Sequence, residues 1–164
     1  MGRFVFALFL LAGIPAFAAE DEPSAIIEIG GAGEWGVHHG DTAYGPSLAA
    51  ETTPIPDVLE IEAGTTEFFP HGATEWDTDF LFKAPFTLSD TLEFMAGVGP
   101  EWAHTVTHGS SSDSFGAEAA LDFMYWPWPD RKVGFYAEPS YGWDFGAGHT
   151  QSASLSVGLL FPIP

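Results

Sequence analysis

"VGFYAEPSYGWDFGAGHTQSASLSVGLLF", Val133 to Phe161, decides how this chain folds. Alternate residues from Val133 are Val, Phe, Ala, Pro, Tyr and Trp, and those between are Gly, Tyr, Glu, Ser, Gly and Asp. After a Gly-rich break the alternation resumes. Ala153, Leu155, Val157, Leu159 and Phe161 share one parity, and Ser152, Ser154, Ser156, Gly158 and Leu160 share the other. A period of two marks a β-strand with unlike faces. Two such strands in succession raise the question of which face is inside.

Working outward, the same alternation recurs towards the N-terminus in segments of about ten residues, separated by turn residues. They are Ala25–Val37, Tyr44–Ile55, Val58–Phe68, Thr74–Phe82, Thr91–Ala103 and Ser114–Trp126. With the opening pair they predict eight strands. The connections form two sets, one at 54–57, 84–90 and 127–132, the other at 38–41, 70–73, 104–113 and 145–148. Antiparallel strands place these sets at opposite ends. An even number of up-and-down strands closes into a barrel and leaves no edge. The expected fold is all-β: an eight-stranded antiparallel up-and-down β-barrel, occupying residues 19–164.

The first residues read differently. Met1-Gly2-Arg3 is cationic, Phe4 to Ile14 is apolar, and Ala16-Phe17-Ala18 is a small-x-small site. This predicts a secretory signal peptide over 1–18. The absence of Cys excludes disulfides, thiol catalysis and Cys-type metal sites. Four Lys and Arg oppose 23 Asp and Glu, for a formal net charge of −19. Nucleic acid, which needs a basic surface, is excluded as a partner. An aromatic share of 15% is too high for a disordered acidic chain.

The carboxylates settle the faces. Glu60 and Glu62 share a parity, as do Glu75, Asp77 and Asp79, then Glu118 and Asp122, then Glu138 and Asp144. The opposite faces are apolar, for example Leu92, Phe94, Ala96, Val98 and Trp102. An eight-stranded barrel is too narrow to pack that much apolar side chain inside. The Gly-, Ala- and Ser-rich polar face suits the interior. Trp35, Phe68, Trp76, Trp102, Trp126, Trp128 and Trp143 lie near strand ends, as interfacial girdles do. The barrel is therefore expected to be of the transmembrane type, with lipid as its outer partner. The alternative is a soluble periplasmic, lipocalin-like binding barrel with the apolar face inside.

Two segments carry a resemblance: "AGVGPEWAH", Ala96 to His104, and "EPSYGWDFGAGHTQS", Glu138 to Ser152. They resemble segments of small eight-stranded outer-membrane β-barrels of Gram-negative bacteria, and more narrowly a group of secreted barrel proteins. The resemblance implies the fold and a location in the cell envelope; the expected location is the outer membrane, with the periplasm as the alternative. It implies no activity and transfers no functional residue. The sequence departs from the pattern at its end, where Phe161 is followed by Pro162-Ile163-Pro164. Pro100 and Pro139 fall inside strands, where each deletes a ladder hydrogen bond, and are expected to mark bulges or an incompletely zipped barrel.

Three chemistries are open. His38, His39, Asp41, His104, His108 and Asp113 fall in one set of connections, with His71 in the same set and His149 beside it, and form a candidate divalent-metal set. An outer-membrane lipid-modifying enzyme would need a Ser beside a His, and His149 with Ser152, or His104 or His108 with Ser110 to Ser114, are the pairs on offer. No nucleophile motif is present, so catalytic residues and cofactors are not expected. The third is an acidic lumen holding Glu60, Glu62, Asp77, Asp79, Glu118, Asp122 and Glu138, with only Lys83 among them. Unpaired buried carboxylates are costly. Such a lumen is expected to be hydrated, to hold divalent cations or to be partly protonated. The expected role is structural or binding.

Overall fold

The computed structural model describes residues 23–163 other than 39 and 147, so the predicted signal peptide lies outside the described residues. Eight strands follow in chain order: β1 (Ala25–Gly36), β2 (Thr42–Ile55), β3 (Leu59–Phe68), β4 (Ala73–Ser89), β5 (Leu92–Thr107), β6 (Ser110–Tyr125), β7 (Gly134–Asp144) and β8 (Gln151–Ile163). Each pairs antiparallel with its neighbour, and β1 pairs with β8, so the barrel is closed. The alternation predicts the strands because a residue pair two apart shares a face. The termini and the even-to-odd turns lie at one end, called here the terminal end. The other four turns lie at the far end.

Three expectations about strand limits are corrected. The stretch 104–113, expected as a loop, is mostly ladder, with His104 facing Asp113 and Thr107 facing Ser110. Only His108 and Gly109 turn, and Gly109 takes a positive φ (90°) that glycine adopts without strain. A run of Thr and Ser has no apolar face to reveal it, yet it pairs through to the turn. Likewise β4 continues through Ala84 to Ser89, where Phe86 packs on Phe94 with ring centroids 5.8 Å apart. At the C-terminal end β8 runs past Phe161 to Ile163, which pairs with Ala25.

The internal prolines do not shift register. Asp79 faces Glu101 and Phe82 faces Val98, so the β4–β5 ladder resumes in step on either side of Pro100. Ala120 faces Ser140 and Phe123 faces Ala137, again in step around Pro139. Each proline loses rungs on one side and keeps its neighbour on the other, Ala117 for Pro100 and Leu155 for Pro139. The bulges fall elsewhere, between Thr52 and Ile55 and between Thr87 and Ser89.

The apolar face points outward. Leu121, Phe123, Phe135, Leu155 and Leu159 are exposed on the outer wall. Leu92 and Phe94 share that parity but are half-buried, Phe94 because it lies between Phe86 and Phe123. Trp35, Trp76, Trp102 and Trp143 are exposed towards the far end, and Trp128 is exposed in the loop after β6. Two expected girdle residues belong inside instead. Phe68 is buried with Ala32 and Ala43, and Trp126 with Met95, Met124, Tyr136 and Leu160. Both have the parity of the inward acids on their strands. Trp126 plugs the terminal end. Its Nε1 donates to Glu93 (3.1 Å), whose other oxygen accepts from Arg131 Nη1 (2.5 Å), and the Arg131 guanidinium lies 5.8 Å from the Trp126 ring centroid.

Candidate functional site: a buried carboxylate cluster around Lys83

The interior is acidic because β1 to β7 each turn at least one carboxylate inward. Lys83, on β4, is the one cation among the described residues that reaches deep into this space, and it is 1% exposed. Its Nζ donates to Glu62, to Asp122 (3.0 Å) and to Glu138 (2.6 Å). Those bonds come from β3, β6 and β7, so one ammonium ties opposite walls of the barrel together. An ammonium has three N–H groups, and all three are committed.

Glycine makes room for it. A Cβ on Gly97 would stand 2.7 Å from Lys83 Cγ. A Gly97→Ala substitution should therefore displace the lysine stem and its three bonds. The expected cost is about 1–3 kcal/mol, the range for overpacking a filled site. It is read as a lower urea midpoint for the barrel in detergent, and an unchanged midpoint would show that the Lys83 stem has free space.

The remaining carboxylates are left without partners. Glu51, from β2, lies 3.9 Å from Nζ and neither of its oxygens has a hydrogen bond. Glu28 Oε1, from β1, and Asp122 Oδ1 are also unpartnered. Oxygens of Glu28, Glu51, Glu62 and Asp122 all lie within 4.8 Å of one another. Glu51 was not among the acids expected here. Its parity in β2 is shared with Ser47 and Ala49, and a lone acid on a small-residue face gives no pattern to read.

The other predicted lumen acids line the space above this cluster. Asp77, Asp79, Glu118 and Glu138 border a narrow cavity that also touches Glu28 and Glu62. It shares Glu34, Asp77 and Glu101 with a wider vestibule of about 650 Å³ at the far end. Glu60, half-buried, faces Lys83 across the β3–β4 ladder. A carboxylate-lined path thus leads from the far mouth inward, and the Trp126 plug stops it at the terminal end.

The histidines share that far end but not one site. His38, Asp41 and His149 border the vestibule. His71 and His108 are exposed in separate turns. His104 instead pairs through Nδ1 with Asp113 (2.7 Å), which also accepts from Trp102 Nε1 (3.2 Å). His39 lies outside the described residues. Among the described residues the only converging set of three or more metal-ligating side chains is the Glu28–Glu51–Glu62–Asp122 group. No hydrogen bond joins a serine to a histidine among them; Ser140 pairs with Ser154 and Ser110 with Thr107. At the terminal end Lys132 bonds Asp130 (2.8 Å), which holds that carboxyl below its ordinary range.

No protein-family model matches the sequence, and no curated protein matches it either. The fold is shared with solved barrels. Neisserial surface protein A superposes with a TM-score of 0.72 at 16% identity, over 88% of this chain and 100% of that one. Ail, the attachment invasion locus protein of Yersinia pestis, gives 0.61 at 13% identity, over 85% and 98%. The N-terminal β-barrel domain of Pseudomonas aeruginosa OprF gives 0.55 at 18%, over 83% and 97%. A further structure of Ail is a complex with the heparin analogue sucrose octasulfate. These are small eight-stranded outer-membrane barrels, and this chain has their architecture.

Proposed function

We propose that this chain is an outer-membrane barrel with a structural or binding role, non-catalytic, whose acidic interior takes up divalent cations from the far side. The observation that carries the location is the inversion of faces: apolar side chains cover the outside of all eight strands and carboxylates line the inside. That pattern has no favourable state in water and a natural one in lipid. Strands of 10 to 17 residues are long enough to cross. The lipocalin-like alternative needs the apolar face inside, where Lys83 and its acids are.

The charge argues the ligand class. Sucrose octasulfate, bound by Ail, is a polyanion. The mouth here is bordered by Glu34, Asp41, Glu75 and Asp144, which repel such a ligand and attract cations. The plugged terminal end argues against conduction. Envelope fractionation tests the location: recovery in the outer-membrane fraction with heat-modifiable migration is expected. Recovery as a soluble periplasmic protein overturns the reading. In planar bilayers the barrel should show no steady conductance, and a stable channel would show that the Trp126 plug is not closed.

A further inference from the structure

We infer that a single divalent cation binds deep in the barrel, held by Glu28, Glu51, Glu62 and Asp122 on the side of the cluster that Lys83 leaves open. The inference rests on the cation-binding reading above and assigns it to one place. Lys83 has spent its three N–H groups on Glu62, Asp122 and Glu138. What remains is a set of oxygens with no hydrogen bond: both of Glu51, whose Oε2 has only the long ion pair to Lys83 (3.9 Å), Oε1 of Glu28 and Oδ1 of Asp122. These residues are 2%, 2% and 0% exposed, so bulk water does not serve them. Buried, unpartnered carboxylate oxygens are among the least stable arrangements in a protein.

The geometry is that of a hard-cation site. Oxygens from the four residues lie within 4.8 Å of one another, close enough to converge on one ion at the oxygen distances Ca²⁺ or Mg²⁺ takes. All donors are carboxylates, with no nitrogen or sulfur, which selects such ions over zinc or copper. Asp122 gives Oδ2 to Lys83 and keeps Oδ1 without a partner, and Glu62 also bonds Lys83 through one oxygen. The ligands come from β1, β2, β3 and β6, so the ion ties in β1, whose Glu28 makes no ion pair with Lys83. Entry is from the far mouth, along Glu34, Asp77 and Glu101 to Glu28 and Glu62.

The test uses the full barrel in detergent, stripped with EDTA and titrated with Mn²⁺, whose electron paramagnetic resonance separates free from bound ion, and with Ca²⁺ as competitor. One tight Mn²⁺ per barrel is expected, displaced by Ca²⁺, with a rise in the urea midpoint. Glu51→Gln should weaken this binding by on the order of 10-fold or more, because affinity follows the number of charged ligands. Glu51 makes no hydrogen bond, so the variant loses charge without losing a bond and should fold, as heat-modifiable migration would show. Glu28→Gln should act the same way, while Glu75→Gln in the vestibule should not. Tight binding unchanged in both Glu51→Gln and Glu28→Gln but lost in Glu75→Gln would overturn the inference and leave the cation-binding reading intact. No binding to wild type, with a midpoint that responds to pH alone, would overturn both by showing that protons neutralise the cluster.

Discussion

Replacing Lys83 with methionine should cost the barrel about 3–5 kcal/mol, the range for breaking a buried ion pair by removing one partner. Methionine matches the length and the apolar stem, so the change isolates the charge. The ammonium is 1% exposed and holds Glu62, Asp122 and Glu138 at hydrogen-bond distance. Without it those carboxylates would have only one another and the unpartnered Glu28 and Glu51 nearby. Like charges confined in a narrow lumen repel, and the strands that carry them are the barrel wall. The expected result is a lower fraction of heat-modifiable protein after refolding at neutral pH and a lower urea midpoint for what does fold. Acid should rescue it, since protonating the carboxylates removes the charge that Lys83 had balanced. Divalent cations should rescue it as well. A Lys83→Met barrel as stable as wild type at neutral pH would mean that the interior is wet enough to screen its charges.

How much of this was legible in the sequence follows from what periodicity measures. In β7 and β8 both faces are strongly typed, so strand, parity and orientation are all visible from Val133 to Phe161. The same contrast places the acids of β3, β4 and β6 inside. Legibility fails where one face lacks contrast. Ser110 to Asp113 is polar on both sides, and only the structure shows that it pairs with Val106 to Thr107 and beyond. Pro54 to Asp57 and Ala84 to Asp90 read as turns because of Pro and polar residues, and register shifts do fall at Thr52/Ile55 and Thr87/Ser89, but β4 continues past Ala84 to Ser89. Proline was a misleading signal at 100 and 139. A closed barrel has enough rungs to lose a few without a change of register.

The site was partly legible. Parity alone put Glu62, Asp122 and Glu138 on the inner face with Lys83, but it cannot say which heights coincide around the barrel. Height depends on the stagger of each strand pair, and that depends on turn lengths the sequence did not define. Glu51 entered the cluster through the register Glu51–Glu62 and Ile26–Glu51, neither of which the alternation specifies. The apolar plug was missed for a related reason. Met95, Met124 and Trp126 share the parity of the inward acids and Leu160 that of the small polar residues of β8, and an apolar residue on a polar face reads as an exception until its neighbours across the barrel are known.

The orientation of the faces makes the second large prediction. Leu121 lies on β6 between Ala119 and Phe123, facing Ala96, well inside both ends of its ladder, and is 45% exposed. In a bilayer that side chain meets hydrocarbon. Leu121→Arg should therefore destabilise the barrel by about 2–4 kcal/mol when unfolding is measured from lipid vesicles, the cost for a cation near the midplane of a barrel wall. The cost should shrink for Trp102→Arg or Phe115→Arg, since both sit nearer the far end, where a guanidinium reaches the interface. In detergent, with a thinner apolar shell, the same gradient should flatten. A soluble barrel in water behaves in the opposite way: an exposed leucine exchanged for arginine alters stability little and improves solubility. A Leu121→Arg variant that inserts and resists urea as wild type does, with no dependence on depth across the three positions, would remove lipid from the outer face and return the choice to a barrel that lives in water.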